Sequence, residues 1–319
     1  MSPVPDRMRA AVIERFGGPN VLKVKDVPVP EVDAGEVLIA LDTAGVGSWD
    51  PDMRSGWSPS GKTHFPLVLG SDGSGIVAAV GSGVRRFKVG DRVYANTFDN
   101  PKGGSHAQYA AVPARNVALI PEGLDMKQAG ALPISGLTAL QGIDGALHLK
   151  KGERIIIHGA SGAVGTVAVQ FAKARGALVL AVASGKDGVA LVRRLGAVVV
   201  VDGKAETVAS IAGRFAPDGA DALLALAGGK ALTTCLEALG QDARIAYPNG
   251  VVPAPKKRGV EVVAYNGEGG VREFAALNRM VERDRLKVAI GATYSLDEVA
   301  QAHRRVTGHV PGKVVLRIR

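Results

Sequence analysis

The 319-residue sequence contains a single cysteine, Cys235, and no apolar run long enough to cross a membrane. One thiol excludes an internal disulfide framework and a multi-cysteine zinc site, and it points to a reducing, cytoplasmic environment. Aromatic residues make up 4% of the chain, and none of its tyrosines has a lysine four positions further on. This absence excludes the Tyr-x-x-x-Lys pair on which short-chain reductases depend.

The composition is otherwise that of a globular protein, 46% hydrophobic and 22% charged, and the length fits two domains. Lysine and arginine outnumber aspartate and glutamate by 39 to 30, which gives a net charge of +9. Most of the surplus is spread along the segment after residue 255, which also carries acidic residues and no nucleic-acid recognition motif. We therefore expect no nucleic acid and no membrane as partner, and a positive field that attracts an anionic small ligand.

Two different patterns follow each other along the chain. Up to about residue 120, short apolar runs lie between Gly, Pro and Asp without helical periodicity, which predicts β-structure. These runs are found at 10–13, 37–41, 76–80, 93–95 and 107–112. Beyond that point, apolar runs of strand length alternate with amphipathic segments. The alternation predicts right-handed crossovers and a parallel sheet that is covered on both faces.

In this second region the sequence predicts strands at 153–158, 178–183, 197–201, 220–226, 243–247 and 260–264. The clearest helix is predicted at 163–175, where Gly176 ends it as a C-terminal glycine. Two further helices, at about 270–285 and 296–306, and a last strand at 313–318 complete the prediction. Cys235 falls in a helix-like segment, 232–239, and is interpreted as a small buried side chain.

One stretch carries most of the functional information. The predicted strand 153–158 leads into glycines at 159, 162 and 165 and then into an amphipathic helix. Such glycines allow a tight turn and let backbone N–H groups approach a pyrophosphate, while the helix N-terminus favours the anion. We predict a dinucleotide-binding turn made of Gly159, Ala160, Ser161, Gly162, Ala163, Val164 and Gly165.

The choice of cofactor is predicted from the end of the second strand, about 20 residues beyond the turn. An NAD site carries Asp or Glu there, whereas this chain has Ser184 and Lys186, with Arg193 and Arg194 at the far end of the next helix. A hydroxyl and an ammonium group suit a 2′-phosphate. We predict NADPH rather than NADH, with a solvated loop lysine as the alternative interpretation of Lys186.

Four motifs, in order, resemble those of the medium-chain dehydrogenase/reductase superfamily. They are GSDGSGIVAAVG (70–81), VGDRV (89–93), ALPISGLTA (131–139) and GHVPGKVVL (308–316). The resemblance implies an α/β fold with a GroES-like, β-rich catalytic domain (1–124 and 267–319) and a doubly wound Rossmann domain with a parallel sheet (125–266). It also implies a cofactor cleft, with Thr138 and Asn249 near the nicotinamide, and a homodimer paired through the strand at 260–264.

Three residue replacements indicate the branch of the superfamily. The zinc-dependent members place a cysteine, a histidine and a glutamate where this chain has Gly47, Ser71 and Asp72. Catalytic zinc requires thiolate and neutral imidazole ligands, so we expect no metal. The chain instead resembles the zinc-independent quinone oxidoreductase (zeta-crystallin-like) branch. It departs from that branch at Gly47, where asparagine is usual, at Asp52, where tyrosine is frequent, and at Gly203, where a cofactor-packing tyrosine often stands.

The resemblance implies hydride transfer from NADPH to a small-molecule electrophile, a quinone or a related conjugated carbonyl compound. By family position, Ser48, Trp49 and Asp50 are expected to line the substrate pocket. An alkenal or enoyl reductase is the enzymatic alternative, and a non-catalytic NADPH-binding protein of the same fold is the other.

Structural roles are the competing interpretations for several of these residues. Trp49, Phe65 and Phe98 are aromatic residues of the kind that fill cores, and Asp50 is of the kind that caps a loop or pairs with Arg54. His158, which ends a predicted buried strand, is interpreted as a hydrogen-bonded structural residue rather than as a base.

Overall fold

The computed structural model describes residues 3–58, 61, 63–205, 207–251 and 253–319. The chain divides into two compact units. Unit 1 comprises Met1–Ile134, Gly269–Arg283 and Ile290–Arg319, and unit 2 comprises Ser135–Glu268 and Asp284–Ala289. Within the described ranges no helix is both long enough and apolar enough to span a membrane.

The elements are numbered in chain order. The strands are β1 (Arg7–Ile13), β2 (Lys23–Pro28), β3 (Glu36–Val46), β4 (Leu67–Val68), β5 (Asp72–Val80), β6 (Arg92–Asn96), β7 (Tyr109–Pro113), β8 (Val117–Leu119), β9 (Arg154–His158), β10 (Leu178–Ala183), β11 (Val199–Asp202), β12 (Ala220–Ala225), β13 (Leu239–Pro248), β14 (Glu261–Tyr265), β15 (Ile290–Ser295) and β16 (Lys313–Arg317). The helices are α1 (Asp50–Ser55), α2 (Met126–Ala131), α3 (Pro133–Leu140), α4 (Ala163–Ala174), α5 (Gly185–Leu195), α6 (Val208–Phe215), α7 (Lys230–Glu237), α8 (Val271–Asp284) and α9 (Val299–Thr307). Single 3-10 turns lie at Pro19–Val21, Ala114–Asn116 and Leu296–Glu298, and a π-helical turn lies at Gln141–Ala146.

Unit 1 is built on two sheets. The larger has the order β15-β16-β3-β5-β6-β8, with β7 added on β3, and the smaller has the order β2-β1-β4. Alternate residues of β3 explain how the two fit together, because successive side chains of a strand point to opposite faces. Val37, Ile39 and Leu41 enter the main core, and Leu38 and Ala40 enter a second core shared with β1. Both faces of β3 are therefore buried.

Unit 2 is a parallel six-stranded sheet in the order β11-β10-β9-β12-β13-β14. Numbered within the unit, this is the 3-2-1-4-5-6 order of the dinucleotide-binding Rossmann fold. The central strand β9 has Ile155, Ile156 and Ile157 fully buried, as expected for a strand covered by helices on both sides. The predicted α/β fold with a parallel sheet is confirmed, and the turn that follows β9 lies at the carboxyl edge, where such sheets bind ligands.

The structure differs from the sequence prediction at several elements. Strand β13 begins at Leu239 rather than at 243, through a shift in its register against β12 at Ala220 and Ala222. The helix-like segment proposed for 232–239 ends at Glu237, while Cys235 is buried as expected. Strands β2, β4, β8 and β15 were not predicted, and β2 contains only exposed and half-buried residues.

The predicted boundary after residue 124 falls inside unit 1, since α2 packs against β3 and β5 of that unit. The division into domains 1–124 with 267–319 and 125–266 stays a prediction.

Candidate functional site

In unit 2, the glycine-rich turn leads directly from β9 into α4. Gly159 has a φ of +81°, a left-handed conformation that favours glycine. A Cβ on Gly165 would lie 2.4 Å from the Gly159 carbonyl oxygen and 2.6 Å from the Ala160 Cα atom. The backbone of the helix therefore approaches the turn more closely than any side chain would permit, which is the role that the fingerprint assigns to its third glycine.

The first turn of α4 presents free backbone donors. Gly162 is the N-cap and contributes no side-chain acceptor, and the first intrahelical bond runs from Thr166 N–H to the Gly162 carbonyl. The N–H groups of the preceding helical residues have no intrahelical acceptor, because the first donors of any helix lack one. The cluster is aimed beyond the carboxyl edge of β9, and its partial positive charge suits a phosphate group.

Ser161 joins this turn to the end of the second strand. Its hydroxyl oxygen, which is buried, accepts a hydrogen bond from Ser184 N–H at 3.2 Å. Ser184 is the N-cap of α5, and Lys186 lies exposed in the first turn of that helix. Two carboxylates lie nearby in the chain or the sheet: Asp187 is exposed in the same first turn as Lys186, and Asp202, opposite Ala183, accepts Lys204 N–H within its own turn.

Thr138 and Asn249 each contact the segment that ends β14 and follows it. Asn249 N–H donates to the Tyr265 carbonyl at 2.9 Å, and the Asn249 side-chain amide donates to Asn266 Oδ1 at 2.9 Å. A Cβ on Gly267 would lie 2.1 Å from Thr138 Oγ1, so the chain passes directly over that hydroxyl. The residues assigned to the nicotinamide end thus share one corner of unit 2 with Asn266 and Gly267, which the sequence did not indicate.

His158 lies where the sheet reverses its strand order, between β9 and β12. Its Nε2 is 3.2 Å from the Gly228 carbonyl oxygen, and its Nδ1 is buried without a partner among the described residues. Burial lowers its pKa, against a smaller raising effect of that hydrogen bond. A neutral imidazole bound to backbone agrees with the structural role expected for His158.

In unit 1, the predicted pocket residues form the link between β3 and α1. Ser48 is exposed, Trp49 is half-buried, and Asp50 is fully buried as the first residue of α1. Trp49 and Phe98 are half-buried and Phe65 is 43% exposed, so none of the three aromatics is a fully buried core residue and that interpretation is wrong. Ser48 and the exposed part of Trp49 are therefore accessible to a ligand, and Asp50 is not.

Gly47 makes room for the indole of Trp49. A Cβ on Gly47 would lie 2.3 Å from the Trp49 Cε2 atom and 2.4 Å from its Cζ2 atom. The indole N–H donates to Ser71 Oγ at 2.8 Å, and the Lys313 ammonium lies 4.8 Å from the centre of the ring. The departure from the family at Gly47 is explained by this packing, since the ring occupies the space of a side chain at that position.

Asp50 accepts hydrogen bonds from two neighbours of the indole. Gly47 N–H donates to its Oδ2 at 2.6 Å, and the Ser71 hydroxyl donates to its Oδ1 at 3.2 Å. Burial raises the pKa of Asp50 to about 7, against the two hydrogen bonds and the attraction of Lys313, which lower it. Arg54 is not its partner, because that guanidinium donates to the Gly17 carbonyl and to His303 Nδ1.

Asp72 and Lys313 form a buried ion pair beside this network. The Lys313 ammonium contacts Asp72 Oδ2, and Ile134 N–H donates to Asp72 Oδ1 at 2.6 Å. The two side chains of the pair are 0% and 2% exposed, respectively. The sequence carries one signal for the pair, a lysine at the start of an apolar strand, since such a lysine must find a counter-charge when it is buried.

These residues do not fit the zinc ion of the zinc-dependent members. Gly47 and Ser71 supply neither thiolate nor imidazole, and Asp72 already pairs with an ammonium. The indole of Trp49 also fills the space above Gly47 and uses the Ser71 hydroxyl as its acceptor. The donor set thus supports the prediction that the site takes no metal.

Family models match most of the chain. The alcohol dehydrogenase GroES-like domain matches residues 33–122, in agreement with the expected fold of the first domain. A model described as zinc-binding dehydrogenase matches residues 195–316.

Curated relatives decide the family. The quinone oxidoreductase of Lama guanicoe is 32% identical over 327 residues, which cover 98% of each chain. The chain belongs to the medium-chain dehydrogenase/reductase superfamily, in its quinone oxidoreductase branch. The quinone oxidoreductases of Pongo abelii and Rattus norvegicus are 39% and 40% identical over 191 residues. Those alignments span 60% of this chain and 57% of either relative.

Solved structures of this family superpose over nearly the whole chain. The quinone oxidoreductase of Coxiella burnetii has a TM-score of 0.87 at 30% identity, covering 98% of this chain and all of its own. A structure described as an NAD-dependent alcohol dehydrogenase has a TM-score of 0.89 at 30% identity over the same shares of the two chains. A mycobacterial protein solved with NADPH has a TM-score of 0.85 at 28% identity, again with 98% and 100% coverage. The fold is thus shared by proteins described with either nicotinamide cofactor.

Proposed function

We propose that this protein is an NADPH-dependent oxidoreductase that transfers hydride to quinones or related conjugated carbonyl compounds without a metal. The observation that carries the proposal is the turn between β9 and α4. Its glycines admit a close ligand, and the first helical amides are left uncapped, in a chain that aligns over 98% of its length with a quinone oxidoreductase.

The electron balance is simple. NADPH supplies a hydride, and a proton from water completes the reduction of a quinone to a hydroquinone or of an enone to a saturated ketone, leaving NADP⁺. Oxygen on the acceptor gains negative charge during the transfer and needs hydrogen-bond donors. The exposed Ser48 hydroxyl is our candidate donor, and buried Asp50 fixes the backbone of that turn through Gly47 N–H. Conjugated acceptors suit such a site because they delocalise the charge themselves.

The function is tested by following the absorbance of NADPH with 1,4-naphthoquinone, an enone and a simple aldehyde, each with and without a chelator. We expect turnover of the conjugated acceptors that the chelator does not change. Turnover of the simple aldehyde that the chelator abolishes would contradict the proposal.

The preference for NADPH rests on Ser184 and Lys186 at the start of α5. Replacing Lys186 by Ala removes a charge-assisted bond to the 2′-phosphate, so we expect the KM for NADPH to rise about tenfold while the KM for NADH stays constant. Arg194→Ala is the matched control, because Arg194 is an exposed cation in the last turn of the same helix. Equal KM values of the unmodified protein for both cofactors would refute the assignment.

An alkenal or enone reductase is the second candidate. The NADPH-dependent alkenal/one oxidoreductase of Arabidopsis thaliana is 36% identical over 201 residues, which cover 61% of this chain and 52% of that protein. Comparing kcat/KM for quinones and for 2-alkenals separates the two. Quenching of tryptophan fluorescence by NADPH, without its oxidation by any acceptor, would instead indicate a cofactor-binding protein with no turnover.

We also propose a cytoplasmic homodimer. Strand β14 ends the order of its sheet and pairs with β13 along one edge, which leaves its other edge for a second copy. Light scattering in solution would give twice the mass of 32.8 kDa, and a monomer mass would exclude the dimer.

A further inference from the structure

Three aromatic residues of unit 1, Trp49, Phe98 and Trp57, form a continuous row that we call the aromatic row. The ring centres of Trp49 and Phe98 are 6.5 Å apart at an interplanar angle of 87°, and those of Trp57 and Phe98 are 6.1 Å apart at 41°. Both separations lie in the range of favourable aromatic pairs. Exposure increases along the row, from half-buried Trp49 and Phe98 to Trp57 at 50%.

The base of the row is fixed. The Trp49 indole is held by its bond to Ser71 and by the Lys313 ammonium at 4.8 Å from its ring centre. The backbone at Phe98 is held by its N–H, which donates to Asn96 Oδ1 at 2.9 Å, and its ring packs edge-on against the Trp49 indole. A ligand that packs on the row therefore meets a surface whose inner rings are already ordered, and it loses little free energy in ordering them.

The outer ring is presented by the end of α1. Gly56 ends that helix with a φ of +119°, and Trp57 N–H donates to the Asp52 carbonyl at 3.0 Å. The backbone of Trp57 is thus fixed while half of its side-chain surface stays free.

We infer that Trp57 and Phe98 are specificity-determining residues that select flat, electron-poor, fused-ring acceptors over open-chain ones. Indole has an electron-rich face, and a naphthoquinone offers an electron-poor ring system that can lie on it. An open-chain alkenal has no ring to stack. The row begins at Trp49, which adjoins the exposed Ser48 proposed as donor to the acceptor, so the bound ring would be continuous with the reacting carbonyl. This inference rests on the proposed function.

The test compares kcat/KM for 1,4-naphthoquinone with kcat/KM for trans-2-hexenal in three variants. Trp57→Leu removes the ring, Trp57→Phe keeps one, and Val89→Ala is the control, since Val89 is an apolar residue of the same unit that is 54% exposed. Phe16 is unsuitable as a control because its ring packs on Gly56, the residue before Trp57. We expect the quinone-to-alkenal ratio to fall about three- to tenfold in Trp57→Leu and to be largely restored in Trp57→Phe. Val89→Ala should leave it unchanged. An unchanged ratio in Trp57→Leu would overturn the inference.

A second measurement separates failure of the inference from failure of the proposed function. Without NADPH, naphthoquinone stacked on an indole gives a long-wavelength charge-transfer absorption, which we expect in the unmodified protein and weakened at least about threefold in Trp57→Leu. If the protein oxidises NADPH with quinones but shows neither this band nor a change of ratio, the function stands and the inference is wrong. If it shows the band without turnover of any acceptor, the function is wrong and the stacking surface is supported.

Discussion

Replacing Gly47 by alanine tests the packing at the centre of the candidate site. The glycine lacks the positive φ that would exclude a side chain, so backbone strain plays no part in the expected effect. What opposes alanine is the indole of Trp49, whose Cε2 and Cζ2 atoms would lie 2.3 and 2.4 Å from the new Cβ. One methyl group therefore forces the ring to move.

The size of the effect follows from what the ring would lose. Overpacking of this kind costs about 1–3 kcal/mol, and the indole would also stretch its hydrogen bond to Ser71 Oγ, worth about 1 kcal/mol. Alanine in place of glycine restricts the unfolded chain and contributes about 0.4–1 kcal/mol in the opposite direction. We expect Gly47→Ala to lower the free energy of unfolding by about 2 kcal/mol.

A double-mutant cycle with Trp49→Ala isolates the contact. With the indole removed, the added methyl has nothing at 2.3 Å to strike, so Gly47→Ala should become neutral or slightly stabilising. Urea unfolding can be followed in all four proteins by the fluorescence of Trp57, which is the second of the chain's two tryptophans and lies in the same unit. The reasoning is refuted if Gly47→Ala costs the same in both backgrounds.

Two further predictions concern the buried charges beside this contact. Lys313→Met leaves the Asp72 carboxylate, which is 0% exposed, without its ammonium partner, so we expect the free energy of unfolding in urea to fall by about 3–5 kcal/mol. Combining Lys313→Met with Asp72→Asn should recover most of that loss. Equal losses in the single and double variants would contradict the prediction. For Asp50, burial raises the pKa from 3.8 in the unfolded chain to about 7, so between these values the folded state binds the additional proton and the contribution to stability falls as the pH rises, levelling off above about 7. Asp50→Asn removes this dependence. The free energy of unfolding of the variant, relative to that of the unmodified protein, should therefore rise by an amount on the order of a few kcal/mol between these two pH values. Parallel stability–pH curves for the two proteins would show that Asp50 does not titrate there.

The fold could be predicted from the sequence where a local pattern determines the structure. Strand β10 was predicted at its observed bounds, and α4 to within one residue, because a buried parallel strand is a continuous apolar run and the glycine after a helix marks its end. Strand β2 was missed since it lies at the edge of a small sheet and has no fully buried residue. The early start of β13 was missed because a register shift opposite Ala220 admits polar residues that no apolar run announces.

In the candidate site, too, the local features could be predicted from the sequence and the contacts between distant residues could not. The glycine-rich turn is local, so its glycines could be read in order, and the structure shows a positive φ at Gly159 and a close backbone approach at Gly165. That this turn binds the dinucleotide stays a prediction. The contacts of Trp49 are not local: its hydrogen-bond acceptor is 22 residues away, and the ammonium beside its ring belongs to Lys313. The sequence identified Gly47 as a departure from the family and offered no reason for it, since the reason is the position of a side chain two residues later.

The same contacts indicate that the replacement of the zinc ligands is a coupled change rather than three separate ones. A cysteine at 47 would meet the indole that now occupies its space, and a histidine at 71 would remove the hydroxyl that accepts the indole N–H and donates to Asp50. Asp72 is held by Lys313, whose ammonium supplies next to that carboxylate the positive charge that a divalent ion would otherwise supply. Restoring one ligand therefore destabilises the present network without creating a metal site. The indole, the ion pair and the glycine therefore form one interdependent network, in which a change at one position disturbs the contacts of the others.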